Sequence, residues 1–219
     1  MTQQQRACVY CRSAFKTTTL IAEPVLPAAL GGRISLKRAT CPACAAHVRQ
    51  LTDDFLATRF ALTAGAMAAR HAPRTGHVPA PDASPADWRH ASRAAAKILY
   101  CYLLLELGRT ILSSPPAEML RRLVMDDDAE ISLPRWELTH ASQSPSASWH
   151  VLMFDAVRSV AAIGLFGTIW FRFDLDLGVL APQGRLVTLH AFKETRGMAT
   201  FRSRGGWRYR SAVRWGWKV

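Results

Sequence analysis

The chain has 219 residues, room for one sizeable domain or for a small module joined to a domain of about 150 residues, which argues against a solenoid or a multi-domain assembly. Hydrophobic residues make up 49% and charged residues 20%, a globular composition that excludes a wholly disordered chain. Lys and Arg number 28 against 16 Asp and Glu, and the net +12 points to polyanionic partners, nucleic acid first and an anionic membrane surface second.

The first residues, Met1 to Arg6, lead at once into cysteine with no apolar signal segment, so the expectation is a cytoplasmic protein in a reducing compartment. There, five cysteines arranged as two pairs and a single residue predict a metal site with one spare thiol, not a disulfide framework. Cys8-Val9-Tyr10-Cys11 and Cys41-Pro42-Ala43-Cys44 are two C-x2-C knuckles with 29 residues between them. Each tight turn aims two thiolates at one ion, and four thiolates match tetrahedral Zn2+. With four sulfurs no position is left for substrate or water, so the zinc is expected to be structural. The competing readings are four unrelated buried thiols, or a redox pair, which lacks the strand-to-helix setting of thioredoxin-like proteins.

The residues between and after the knuckles carry a resemblance. Glu23-Pro24-Val25-Leu26-Pro27 is followed by Gly31-Gly32, then by Cys41 to Cys44, Ala45 and a helical pattern. Cys8 to Phe60 is thereby similar to the zinc-knuckle branch of the HNH endonucleases. The resemblance implies a ββα-metal finger, with a hairpin after the first knuckle and a helix from the second. In that family an acid and an Asn or His hold a divalent ion, while a His next to the acid activates water against a phosphodiester. Carried over, Glu23 stands at the acid, a remnant metal-ligand position; Pro24 stands at the general-base His, and Ala45 at the metal-ligand Asn. Proline has no titratable group and alanine no oxygen, so the two roles are lost. His47 falls about 200° around the helix from Ala45. Read without its partners, Glu23 is a surface carboxylate in a loop.

Val48, Leu51, Phe55, Leu56 and Leu62 recur at helical intervals and complete a module over residues 1–70. Residues 71–87, rich in Pro and Ala, read as a linker. Residues 88–107 carry a helical pattern that stops at Gly108, and a second helix is expected over Pro116 to Met125. Leu165 to Leu177 alternates Phe171, Phe173, Leu175 and Leu177 with Arg172, Asp174 and Asp176, the strand period. Residues 178–184 turn the chain, and Arg185 to Phe192 reads as a second strand, predicting a hairpin. Residues 88–192 thus read as an α+β domain. The tail, 193–219, holds eight basic residues and one acid. In it Arg202, Arg204, Arg208, Arg210 and Arg214 interleave with Trp207 and Trp215, a pattern suited to phosphates and stacked bases. A basic solvent face of a final strand, or a solubilising tail, would use the same residues.

His71, His77, His90, His140, His150 and His190 are scattered, without a carboxylate at ligand spacing. Asp126-Asp127-Asp128 reads as a loop cap, and Cys101, inside an apolar run, as a buried inert thiol. No stretch reaches the ~20 apolar residues of a membrane span. The fold class is therefore α+β, an HNH-like zinc finger followed by a helical and β-hairpin domain with a basic tail. The functional reading is a zinc-binding, HNH endonuclease-like protein that binds nucleic acid, DNA over RNA, with nuclease activity impaired or lost. An active endonuclease using Mg2+ or Mn2+, and a zinc-stapled protein-interaction scaffold, are the alternatives.

Overall fold

The computed structural model describes residues 5–27, 34–56, 85–125, 135–138, 149–155, 159–165, 169–176, 186–193 and 197–204. The chain divides into two compact units, residues 1–60 with 85–133 and residues 61–84 with 134–219.

The first unit begins with two small antiparallel pairs. Strands β1 (Gln5–Ala7) and β2 (Ala14–Lys16) flank the first knuckle, with Arg6 opposite Phe15. Strands β3 (Ile21–Pro24) and β4 (Ser35–Thr40) lead to the second. Ile21 faces Thr40 while Glu23 faces Leu36, so β4 carries extra residues that Arg38 absorbs at φ 50°. In a regular strand neighbours alternate between faces; in this bulge Lys37 and Arg38 are both exposed. Cys41 is extended, Pro42 opens helix α1 (Pro42–Val48) where its missing N–H costs nothing, and a π-helical stretch, Arg49–Asp53, continues it.

Helix α2 (Pro85–Leu107) is buried at every position from Ala91 to Leu104, as expected of a helix apolar on all sides. It stops at Gly108, whose φ 77° and ψ −174° suit glycine alone, and whose N–H reaches the Leu104 carbonyl. After a short 3-10 turn, Ser114 accepts the Ala117 N–H and starts helix α3 (Pro115–Met125). Both helix ends match the sequence expectation closely. Their placement differs from it. The α+β domain expected over 88–192 is divided, because α2 and α3 pack with the knuckle segment. The reason is chemical: bare knuckle carbonyls need donors, and Tyr100 of α2 and Arg121 of α3 supply them.

The second unit is a six-stranded antiparallel sheet in the order β10-β9-β6-β7-β8-β5. Its strands are β5 (Arg135–Leu138), β6 (Trp149–Asp155), β7 (Val160–Leu165), β8 (Ile169–Asp174), β9 (Leu186–Lys193) and β10 (Gly197–Arg204). Strands β6 to β9 form a Greek key, three consecutive neighbours with the fourth returning beside the first. Two expectations are corrected here. The run Leu165 to Leu177 is not one strand: Leu165 pairs with Ile169, so the chain reverses within it. The predicted hairpin of the last two strands does not form either, since β8 pairs with β7 and β5, and β9 with β6 and β10. Periodicity identified strand character but could not choose partners. The alternation itself holds, with Trp170 apart: Phe171, Phe173 and Leu175 are buried, Asp174 and Asp176 exposed. Gly164 lies opposite Trp170, and a Cβ there would sit 2.6 Å from the indole.

Among the described residues no helix is long and apolar enough to cross a membrane.

Candidate metal centre

The first knuckle is a tight turn closed by the Arg12 N–H on the Cys8 carbonyl, with Arg12 left-handed at φ 65°. The Val9 N–H donates to the Ala39 carbonyl, which fixes this loop against β4 just before the second knuckle. There the Ala45 N–H on the Cys41 carbonyl starts α1 and turns Cys44 back toward Cys41. The sulfurs of Cys8, Cys11, Cys41 and Cys44 consequently lie within 4.8 Å of one another, with Cys11 and Cys41 4.0 Å apart. A zinc tetrahedron with ~2.3 Å bonds has sulfur-sulfur edges of about 3.8 Å, so a small contraction seats the ion.

The electrostatics of Cys8, Cys41 and Cys44 fit a cation. Burial pushes the Cys8 thiol up, but N–H groups of Cys41, Cys11 and Tyr10 outweigh it and bring the thiol down to about 7. The Cys41 N–H lies 3.3 Å from the Cys8 sulfur. Burial holds Cys41 and Cys44 above the ordinary thiol range, and for Cys44 the neighbouring thiols add to it. Crowded sulfurs that resist a second and third negative charge gain it with a divalent ion among them.

Four side chains lock the first knuckle and its flanks to the helical half of the unit. The Tyr100 hydroxyl donates to the Val9 carbonyl at 2.6 Å, and Arg121 Nη1 to the Tyr10 carbonyl at 3.0 Å. Arg12 Nη2 reaches the Leu112 carbonyl at 2.6 Å, and Arg109 donates to the Ala7 carbonyl. Glu118 steadies both Arg121, at 2.6 Å, and Arg12, at 3.4 Å. The Arg121 hydrogen bonds hold its carboxyl below the ordinary carboxylate range.

Residues 8–61 match the HNH endonuclease family model. The match covers about a quarter of the chain and contains all four clustered cysteines, so this segment is similar to the HNH endonucleases and carries a cysteine cluster able to hold a metal ion. No curated protein and no solved structure matches the chain significantly.

The three catalytic positions of the HNH frame fall as follows. Glu23 is not the exposed loop carboxylate expected from its missing partners. It lies in β3, 3% exposed, with Oε1 3.2 Å from the ammonium of Lys97. The same ammonium lies 3.1 Å from Asp53 Oδ1 and donates to the Pro24 carbonyl at 2.7 Å. Burial drives the Glu23 carboxyl up, against the pull of Lys97. Burial works to lower the Lys97 ammonium, and Cys101, Glu23 and Asp53 overturn it, raising the group above its ordinary value. A lysine with no exposed surface is thus kept charged by the acids around it. Pro24 presents only its carbonyl, Ala45 is half-buried on α1, and His47 is exposed.

These residues do not fit the family's catalytic ion. Among the described residues the four cysteines form the one group of three or more metal-ligating side chains. Sequence reading missed Asp53 and Lys97. The available signal was Lys97 itself, the single charge within the apolar run from Ala94 to Leu105.

Other expectations fall as follows. Arg202 and Arg204 lie in edge strand β10, opposite Thr188 and Leu186, so the tail from 193 begins as sheet. Trp207, Arg208, Arg210, Arg214 and Trp215 lie outside the described residues, as do Asp126 to Asp128, His71, His77 and His140, and residues 71–84 of the linker expected over 71–87, whose last three residues instead open α2. Cys101 is buried, and burial foremost pushes its thiol up to about 12, as an inert thiol requires.

Proposed function

We propose that the HNH-type module is a zinc-stapled nucleic-acid-binding element that does not hydrolyse phosphodiesters, with DNA its preferred polymer. The observation that carries the reading is the Lys97 ammonium among Glu23, Asp53 and the Pro24 carbonyl, where a hydrolase of this frame needs a divalent ion and a base. With Pro24 in place of the base and Ala45 in place of a ligand, neither Mg2+ nor Mn2+ is recruited.

Charge supports binding. Arg6, Lys16, Lys37, Arg38 and Arg49 are exposed on the module, while Glu23 is buried, Asp53 faces Lys97 and Asp54 pairs with Arg49. A non-glycine residue held in the left-handed region costs about 1–3 kcal/mol, and at Arg38 that strain goes to exposing two adjacent cations. Phosphates are the ligands such a pair suits. The arginines and tryptophans of 202–215 extend the basic character and supply stacking rings for unpaired bases.

The test is a fluorescence-anisotropy titration with duplex DNA, single-stranded DNA and RNA over a range of salt, run beside a cleavage assay with Mg2+ and Mn2+. Binding is expected to weaken steeply with salt, by a slope of about 0.9 per phosphate contact, so Lys37→Ala with Arg38→Ala lowers the slope by about 2. Truncation belongs at 205, because 197–204 are part of the sheet. Absence of binding refutes the binding half, and tight binding that ignores both changes refutes its assignment to Lys37, Arg38 and the tail. Cleavage abolished by Glu23→Ala refutes the other.

A further inference from the structure

We infer that Lys97 is a built-in cation, its ammonium filling an oxygen-lined nest of Glu23, Asp53 and the Pro24 carbonyl so that the protein has closed this position to divalent metal. The inference concerns the same site as the proposed function but rests on the nest's geometry, whatever the module binds.

Three chain segments contribute. Glu23 and Pro24 end β3, Asp53 ends the π-helical stretch after α1, and Lys97 comes from the middle of α2. An ammonium has three N–H donors and no acceptor, and here it meets three acceptors: the Pro24 carbonyl at 2.7 Å, Asp53 at 3.1 Å and Glu23 at 3.2 Å. Three residues thus face the three donors, Asp53 with both oxygens, the second at 3.3 Å, and the lysine side chain has no exposed surface. The spacing also speaks for an ammonium: Mg2+ demands oxygens at ~2.0–2.1 Å and Ca2+ at ~2.3–2.6 Å, so the nest is wider than either ion takes directly. The donor set is nonetheless a metal's set. Two carboxylates and a carbonyl are hard ligands that suit Mg2+, Ca2+ or Mn2+. Two carboxylates around one ammonium also leave an unbalanced negative charge, which a divalent ion would cancel and a lysine does not. The residues that follow it in α2, Ile98, Leu99 and Tyr100, are buried as well.

A plain buried ion pair that only fastens α2 to the module makes a different forecast from a tethered replacement ion. Without its lysine, an ordinary pair leaves two stranded carboxylates. A metal nest without its lysine becomes a vacant divalent site. The experiment uses the zinc-loaded full chain as wild type, Glu23→Gln, Lys97→Met and Lys97→Met with Glu23→Gln, and reads Mn2+ by the loss of the free-ion electron paramagnetic resonance signal. Zinc content and thermal melting are measured in parallel.

Wild type is expected to bind no Mn2+ at this site and to melt at the same temperature with or without it. Lys97→Met is expected to melt lower, to bind one Mn2+ while keeping its zinc, and to recover part of the lost melting temperature in Mn2+. Adding Glu23→Gln should weaken that Mn2+ at least tenfold. The inference is overturned if folded, zinc-retaining Lys97→Met takes up no Mn2+, or if wild type binds Mn2+ in a manner that Glu23→Gln abolishes. It is equally overturned if Lys97→Met fails to fold even when refolded with Mn2+, because a nest able to exchange ammonium for metal folds around the metal. None of these readouts depends on nucleic acid, so the result separates from that of the proposed function.

Discussion

Replacing Tyr100 by Phe removes one oxygen from the junction between α2 and the first knuckle. The ring itself is kept by its packing, including the tilted contact with Tyr10 at 5.8 Å between centroids. What changes is the Val9 carbonyl, which loses the 2.6 Å hydroxyl donor while Val9 stays 1% exposed. Water cannot replace the donor at such a position, so the cost is that of a stranded buried acceptor, about 1–3 kcal/mol. In a unit of this size that corresponds to a fall in melting temperature of about 5–15 °C. A second consequence follows from where Val9 sits. It lies between Cys8 and Cys11, so the energy that holds its peptide also holds two metal ligands in position. Part of the same cost should appear as weaker zinc binding, up to about tenfold for each 1.4 kcal/mol. Calorimetric melting and competition with a zinc chelator measure the two effects on one preparation. A Tyr100→Phe protein that melts within a degree of wild type would falsify the hydrogen-bond argument, and one that melts lower with unchanged zinc affinity would refute the coupling of helix to knuckle.

Metal analysis should return one zinc per chain, and Cys41→Ser should lose it; chelation should lower the melting temperature and speed amide exchange over residues 5–16, whereas exchange that ignores the chelator would show that zinc does not hold the loop. Gly164→Ala places a Cβ 2.6 Å from the Trp170 ring across the β7-β8 pair and should cost about 1–3 kcal/mol, read by melting, with no change in zinc content because the first unit holds the metal. An unchanged melting temperature would mean that the indole has room to move.

The metal centre was legible because its information is local. Two residues between cysteines set the angle of two thiolates, and the sequence shows that spacing directly. Pro24 and Ala45 were readable in the same way, since a side chain that lacks a proton acceptor or a ligand atom lacks it in any fold. Gly108 belongs with them: a backbone of φ 77° is a local demand, and the sequence meets it where the helical pattern ends.

Partner choice is the part that tertiary structure decided. Strand character in Ile169–Asp174 and Leu186–Lys193 was evident, yet the Greek key separates them, because pairing depends on how the whole sheet covers apolar faces and not on neighbourhood in the chain. Glu23 is the sharper case. By itself it reads as a solvated carboxylate, and its burial follows only from Lys97 and Asp53, residues remote from it in sequence that meet at one ammonium. A buried charge persists when opposite charge and hydrogen bonds offset its lost hydration, and that compensation exists only once distant segments have folded together.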